Sequence, residues 1–167
     1  SYPHSRGALR LPYCVDKDAI KINFVTSHPK DAGIELFKVM AECKSISKQL
    51  HLPLQSGSNR ILKRMNRGYT VEKYKKLVRD FRKTVKYSAI MTDLIVGFPG
   101  ETEKDFEATL DAVKEIKFDA AYIFKYSPRP FTAAGKMKDD VPKDEKERRH
   151  ALLLEMQRKI SRNLCGT

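Results

Sequence analysis

Cysteine is scarce in this 167-residue chain. Cys14, Cys43 and Cys165 are its three, far apart, odd in number, and in neither CxxC nor CxxxCxxC spacing. That pattern argues against a disulfide framework and against a metal site built by this chain alone, so no metal ligands are assigned. It fits a reducing cytoplasm, with each thiol a small packed residue or a surface group. Long apolar runs are also missing. No stretch of 18 apolar residues exists, which argues against a membrane span and a membrane partner. Residues 1–20 lack the apolar centre and small-residue cleavage site of a secretory leader. Acid is the third shortage: 21 Asp and Glu stand against 33 Lys and Arg, a net charge of +12. The imbalance favours an anionic partner, nucleic acid first, without establishing one.

What is present is ample for one packed domain: 41% hydrophobic and 32% charged residues with no low-complexity segment. Residues 1–19, with Pro3, Gly7 and Pro12, show no steady period and read as an irregular N-terminal segment; the domain proper is expected over 20–167. Strand and helix patterns then alternate. "KINFVT" (21–26) reads as a strand, and a helix follows from Gly33 with Ile34, Phe37 and Ala41 at helical spacing. "QLHLPLQ" (49–55) is a second strand. Ser58 caps a short helix, and Thr70 caps the next, whose stripe is Val71, Tyr74, Leu77, Val78, Phe81 and Val85. "AIMTDLIVGF" (89–98) is the third strand. Thr102 caps a helix striped by Phe106, Leu110, Val113 and Ile116. "AAYIFKY" (120–126) is the fourth strand. A loop rich in proline then leads to a last helix from Lys143, with Leu153, Met156, Ile160 and Leu164 facing the core. The β-α-β-α-β-α-β-α order predicts an α/β fold with parallel strands and helical crossovers. Ligands in such sheets gather at the carboxyl ends of the strands.

Those ends carry the chemistry. In "DLIVGFPGETEKDF" (93–106), Gly97 and Gly100 would let a flat ring or phosphate lie on the backbone, and Pro99 sets the path. Glu101, Glu103 and Asp105 begin the next helix and would repel phosphate, so a neutral or cationic ligand fits better. A well-capped turn is the plainer reading. Asp93, inside an apolar strand, needs a partner: a Lys or Arg, or a ligand ammonium or hydroxyl. Gln55 and Ser56 end the second strand, and Arg67 lies one short helix further. An amide, a guanidinium and a carboxylate from Gln55, Arg67 and Asp93 suit an amino-acid head group and ribose hydroxyls. His28 and His51 lie near the same mouth and read more simply as scaffold histidines than as substrate contacts. From Arg60 to Lys86, eleven basic residues face only Glu72 and Asp80. The stretch reads either as an RNA-facing stripe or, more plainly, as a solvated helix face. Asp144 with Arg148 and Glu145 with Arg149 are expected to form i,i+4 pairs.

"HLPLQSGSNRILKRMNRGYT", "TDLIVGFPGETEKDF", "YSPRP", "FVTSHPKD" and "KDDVPKDEKERR" together resemble the radical S-adenosylmethionine (SAM) methylthiotransferases. The resemblance spans residues 21–163. Ser56 after Gln55, where the ribosomal-protein branch usually has His, favours the tRNA branch. That branch adds a methylthio group to an isopentenyl-type adenosine beside the anticodon. The resemblance implies a partial (β/α) TIM-like barrel, strands three to six of a (β/α)6 core, with SAM and a [4Fe-4S] cluster as cofactors. It implies that Gln55, Arg67 and Asp93 contact the methionine part and ribose of SAM, with Ser56 beside them. Gly97, Phe98 and Pro99 would pass the adenine, and Tyr126, Ser127 and Arg129 would lie near adenine or substrate, with His28 on the substrate side.

Departures from the family pattern set further expectations. The CxxxCxxC cluster ligands, the N-terminal methylthiotransferase domain and the C-terminal RNA-binding module are not in this sequence. Phe131 stands where the family commonly has Gly. The chain is therefore expected to be a partial core, inactive alone, whose open sheet edge is covered by a missing barrel half or by self-association. The alternatives are a non-catalytic remnant that binds RNA or a partner, and a fragment of a ribosomal-protein methylthiotransferase.

Overall fold

A computed structural model describes residues 22–23 and 28–165. Its elements run α1 (Ile34–Glu42), β1 (Gln49–His51), α2 (Asn59–Arg64), α3 (Val71–Thr84), β2 (Ala89–Val96), α4 (Glu103–Ile116), β3 (Ala120–Lys125) and α5 (Lys143–Cys165), with a 3-10 turn at Ala134–Lys136. The strands form one parallel sheet in the order β1-β2-β3. The expected first strand lies mostly outside the described residues. Within them, Ile22 bridges Ile46 in parallel.

β2 is the spine, and its side chains alternate between two environments. Ile90, Thr92, Leu94 and Val96 are buried beneath the helices. Ala89, Met91, Asp93 and Ile95 face the concave side and are only half-buried. Both faces of a parallel strand are normally covered. Here the concave face is incompletely covered: Tyr122 and Phe124 of β3, in register with Asp93 and Ile95, are 55% and 53% exposed. The sheet is an open partial barrel, as expected for the fold class.

α3 and α4 pack by their predicted stripes, whereas on α1 Ile34 and Ala41 are exposed and Phe37 is buried with Met40 instead. On α3, Val71, Tyr74, Val78 and Phe81 are buried and Leu77 is half-buried. Each fully buried side chain of that size contributes about 1.5–3 kcal/mol. Ser58, Thr70 and Thr102 cap α2, α3 and α4 as expected, each accepting a backbone N–H. At α4, Thr102 and Asp105 complete a capping box.

α5 keeps most of its expected stripe: Leu153 is fully buried and Met156 and Ile160 pack against the core, but Leu164 is 48% exposed. Its most deeply buried residues besides Leu153 are polar: Lys146, Arg149 and Gln157. Polar groups fit there because the sheet edge offers them partners. Gln157 Nε2 donates to the Phe118 carbonyl at 2.8 Å, and Arg149 pairs with buried Glu101 at 2.8 Å. Glu145 and Arg149 pair at 2.6 Å as expected. Arg148 instead reaches Glu145 at 2.7 Å and Glu103 at 2.6 Å, rather than Asp144.

Candidate functional site

The site begins with an irregularity in the sheet. The strand expected over 49–55 is regular only to His51, and Gln55 rejoins β2 by a single bridge to Leu94. Four steps on this strand, His51 to Gln55, oppose three on β2, Met91 to Leu94. One extra residue is thus accommodated, beside a proline that has no N–H to give the ladder. The displaced backbone is buried and needs partners. Thr92 Oγ1 accepts from the Leu54 N–H at 2.9 Å and donates to the Leu52 carbonyl at 3.0 Å. Tyr74 Oη donates to the same carbonyl at 2.6 Å. Tyr69 Oη donates to the Pro53 and Leu54 carbonyls at 3.0 and 3.1 Å. Burial pushes the Tyr69 phenol up to about 12, so it stays a donor at neutral pH. These three hydroxyls hold Gln55 at φ +71°, a left-handed backbone for a non-glycine residue.

Arg67 arrives by a helix stop. After α2, the Asn66 N–H bonds the Lys63 carbonyl at 3.0 Å and the Arg67 N–H bonds the Leu62 carbonyl at 3.0 Å. With Asn66 at φ +56°, this is a Schellman ending. It reverses the chain so that Arg67 returns to the strand ends. Asp93 comes from β2, and its Oδ1 meets His51 Nε2 at 2.9 Å. His51 also lies edge-on to Tyr122, with ring centroids 5.9 Å apart. Within the protein, Asp93 meets a histidine and not the expected Lys or Arg, because His51 on the paired strand faces the same side of the sheet.

Gln55, Arg67 and Asp93 line a single cavity of about 630 Å³ at the carboxyl ends of the strands. His28, Phe98, Tyr126, Ser127 and Arg129 line it too. Arg64, Met137 and Phe124 join them and were not singled out from sequence. Arg64 could have been read from its place in the last turn of α2; Met137 sits in a loop with no periodic signal. One wall, formed by the residues just after β2 and β3, is aromatic: Phe98 and Tyr126 meet edge-to-face, centroids 5.1 Å apart.

Ser56, Gly97 and Pro99 do not line this cavity. Ser56 is fully buried, and its Oγ accepts from the Ser58 N–H at 3.1 Å. Gly97 and Gly100 have φ of +71° and +77°, and the protein's own side chains approach them. A Cβ at Gly97 would collide with the Lys146 stem, and one at Gly100 would sit 3.2 Å from the Arg64 guanidinium. The Pro99 carbonyl accepts from Arg64 Nε at 3.1 Å. The acidic helix start is likewise consumed internally. Glu101 Oε2 accepts from the Gly97 N–H at 2.6 Å and from Arg149. Asp105 binds Arg60, Ser58 and Thr102. Burial opposes the charge on Asp105, but those hydrogen bonds prevail and hold its carboxyl well below the usual range. For Glu101, burial prevails over its partners and pushes the carboxyl up.

Phe131 explains itself in this loop. It has φ +64° and a fully exposed side chain, so a glycine-type backbone is kept without disturbing the packing. The close approach falls on Gly135, where a Cβ would strike the Arg129 carbonyl.

The model of the Radical SAM superfamily matches residues 4–113. The chain belongs to the radical SAM superfamily. Among curated proteins similar to it is the tRNA-2-methylthio-N(6)-dimethylallyladenosine synthase of Endomicrobium trichonymphae, 51% identical over 141 residues, covering 84% of this chain and 34% of that protein. The synthase of the same name from Clostridium novyi (strain NT) is 54% identical over 135 residues, covering 81% of this chain and 30% of that protein. This radical SAM chain thus spans about a third of the length of these relatives. Among solved structures, coproporphyrinogen III oxidase (HemN) from Escherichia coli, described as a radical SAM enzyme, matches with a TM-score of 0.62 and 24% identity. It covers 77% of this chain and 31% of that one, a likeness of fold.

The residues present fit one of the two implied cofactors. Convergent amide, guanidinium and carboxylate groups beside an aromatic wall match the donor needs of SAM, and the cavity is of small-ligand size. An iron-sulfur cluster is not matched. Among the described residues no group of three or more His, Cys, Asp or Glu could hold a metal ion, and Cys43 is a half-buried free thiol. No helix among the described residues is long and apolar enough to cross a membrane.

Proposed function

We propose that this chain is the SAM-cradling part of a cytoplasmic tRNA methylthiotransferase acting on an isopentenyl-type adenosine beside the anticodon. The observation that carries the reading is the convergence of Gln55, Arg67 and Asp93 on one cavity at the strand ends. The tRNA branch rests on 51% and 54% identity to relatives named for that product.

Arg67 pairs with the ligand carboxylate by charge-assisted hydrogen bonds. Asp93, whose Oδ1 is oriented by His51, takes the ammonium or ribose hydroxyls. Gln55 offers both a donor and an acceptor. Phe98 and Tyr126 flank the flat ring, while Ser127, Arg129 and His28 face substrate. When bound, SAM supplies the methyl group and the radical chemistry that names the superfamily. The sequence has no CxxxCxxC motif, which supports the reading that this chain needs the rest of a full-length relative for activity. Its open concave face is covered by the remaining barrel or by a second copy.

Titration calorimetry of SAM into the 167-residue chain tests the cavity. Asp93→Asn and Arg67→Met should each weaken binding by about 10- to 100-fold, the scale of a lost charged hydrogen bond. Wild-type affinity in both variants would refute the assignment, and RNA binding without SAM binding would favour a non-catalytic remnant. For the reaction itself, this segment can replace its counterpart in a full-length relative. Methylthiolated adenosine in tRNA, read by mass spectrometry, should persist in the chimera and vanish with Asp93→Asn.

A further inference from the structure

The residues that shape the aromatic wall lie outside the cavity. Phe98 follows β2 and Tyr126 follows β3, so the wall is built from two adjacent strand ends. One buried lysine touches both. The methylene stem of Lys146 packs against Gly97, which has no Cβ to exclude it. Its Nζ lies 5.3 Å from the centre of the Tyr126 ring and 3.4 Å from the Tyr126 carbonyl. The ammonium is neutralised by Asp139, at 2.6 and 2.7 Å from the two carboxylate oxygens. The Lys146 side chain is 9% exposed and that of Asp139 is 31% exposed, so this pair is largely withdrawn from solvent.

The same stretch of chain grips the turn at two further points. Asp140 Oδ1 accepts from the Gly100 N–H at 2.6 Å. Arg149 Nη1 donates to the Glu101 carbonyl at 3.1 Å and to Glu101 Oε2 at 2.8 Å. Glu101 Oε2 in turn accepts from the Gly97 N–H. Residues 97, 100 and 101 are thus each held by residues 139–149. Met137, two residues before Asp139, lines the cavity itself.

We propose that the Lys146–Asp139 pair is a positioning device. It sets the spacing of Phe98 and Tyr126, and so tunes the cavity for a flat aromatic ring over an amino-acid group. A stability role alone would not need one side chain to bridge both strand ends. A buried ammonium is costly unless paired, and an apolar residue would fill the volume under Gly97 as well. What the ammonium adds is a directed contact to the Tyr126 ring and carbonyl. The ring-selectivity half of this proposal rests on the SAM reading above; the wall-spacing half does not.

The test uses the 167-residue chain with Lys146→Met, which keeps an unbranched stem and removes the charge, and with Lys146→Arg and Asp139→Asn. SAM, 5′-methylthioadenosine and methionine are titrated into each. Lys146→Met and Asp139→Asn should weaken both adenosine-bearing ligands on the order of tenfold and leave methionine within about twofold. Lys146→Arg should restore most of the loss. Equal weakening of all three ligands, or none, would overturn the selectivity role. Hydrogen exchange at Gly97 and Gly100 and the ring-to-ring NOE between Phe98 and Tyr126 are read on the same samples without ligand. Faster exchange and a weakened NOE in Lys146→Met support the spacing role, and unchanged values overturn it. If wild-type chain binds no SAM, the SAM reading and the selectivity role fall together, and these ligand-free readouts still decide the spacing role. If Lys146→Met does not fold, Asp139→Asn carries the same comparison.

Discussion

Thr92 does more for the site than its place in an apolar strand suggests. It is fully buried, and its hydroxyl both accepts from the Leu54 N–H and donates to the Leu52 carbonyl. A buried backbone donor left alone costs about 1–3 kcal/mol. Thr92→Val keeps the shape and removes the hydroxyl, so it should destabilise the chain by about 1–3 kcal/mol. Urea denaturation measures this, and a neutral result would mean the bulge finds another partner. Tyr74 is a second case of the same kind. Its ring sits in the apolar stripe of α3, while its hydroxyl reaches the Leu52 carbonyl. Hydrophobic periodicity registers such a ring and is blind to its tip.

At the scale of the element, the start of α4 concentrates the electrostatics. Asp105 accepts from Thr102, Ser58 and Arg60, tying α4 to α2. Its folded pKa lies below the ordinary value near 4. The stabilisation is therefore complete above the ordinary value and is lost as pH falls from there to the lower folded pKa. Glu145, held down to about 2 by hydrogen bonds from Arg148 and Arg149 despite some desolvation, acts in the same direction. Glu101 acts oppositely: burial raises its folded pKa, so its contribution is lost as pH rises through that value. Stability should drop between about pH 4.5 and pH 2. Asp105→Asn should lower stability at pH 7 by about 1–2 kcal/mol and flatten that acid limb. Urea midpoints across pH measure both, and an unchanged acid limb would show that Asp105 is not its source. The Schellman ending of α2 is the other decisive element, because it converts a helix stop into the approach of Arg67.

At the scale of the whole molecule, the sheet is a fraction of a barrel. Within the described residues β3 pairs only with β2, and Tyr122 and Phe124 stand more than half exposed on the concave side. Exposed apolar surface beside an unpaired strand edge drives association. The chain should therefore self-associate, with light scattering giving a mass above 19.2 kDa that rises with concentration. A monodisperse monomer across the range would count against it. The basic stretch from Arg60 to Lys86 looks different at this scale than in sequence. Lys75 pairs with Glu115, and Arg82 donates to the Ile116 and Lys117 carbonyls at the end of α4. Part of that charge is helix-to-helix structure.

From α1 onward the order of elements, the parallel sheet, the caps at Ser58, Thr70 and Thr102, and the meeting of Gln55, Arg67 and Asp93 at one cavity were legible in the sequence. They follow from period, from capping chemistry, and from the rule that ligands gather at the carboxyl ends of the strands in α/β folds. The bulge at Pro53, the partner of Asp93 and the occupants of the space beside Gly97 and Gly100 were not. These depend on residues 15 to 49 positions away, such as Tyr69 with Leu54, Arg64 with Gly100, His51 with Asp93 and Lys146 with Gly97. A positive-φ glycine reads identically whether a ligand or a lysine stem fills the room it leaves. Only the three-dimensional packing of α5 against the strand ends decides which, because that choice is a contact between distant segments.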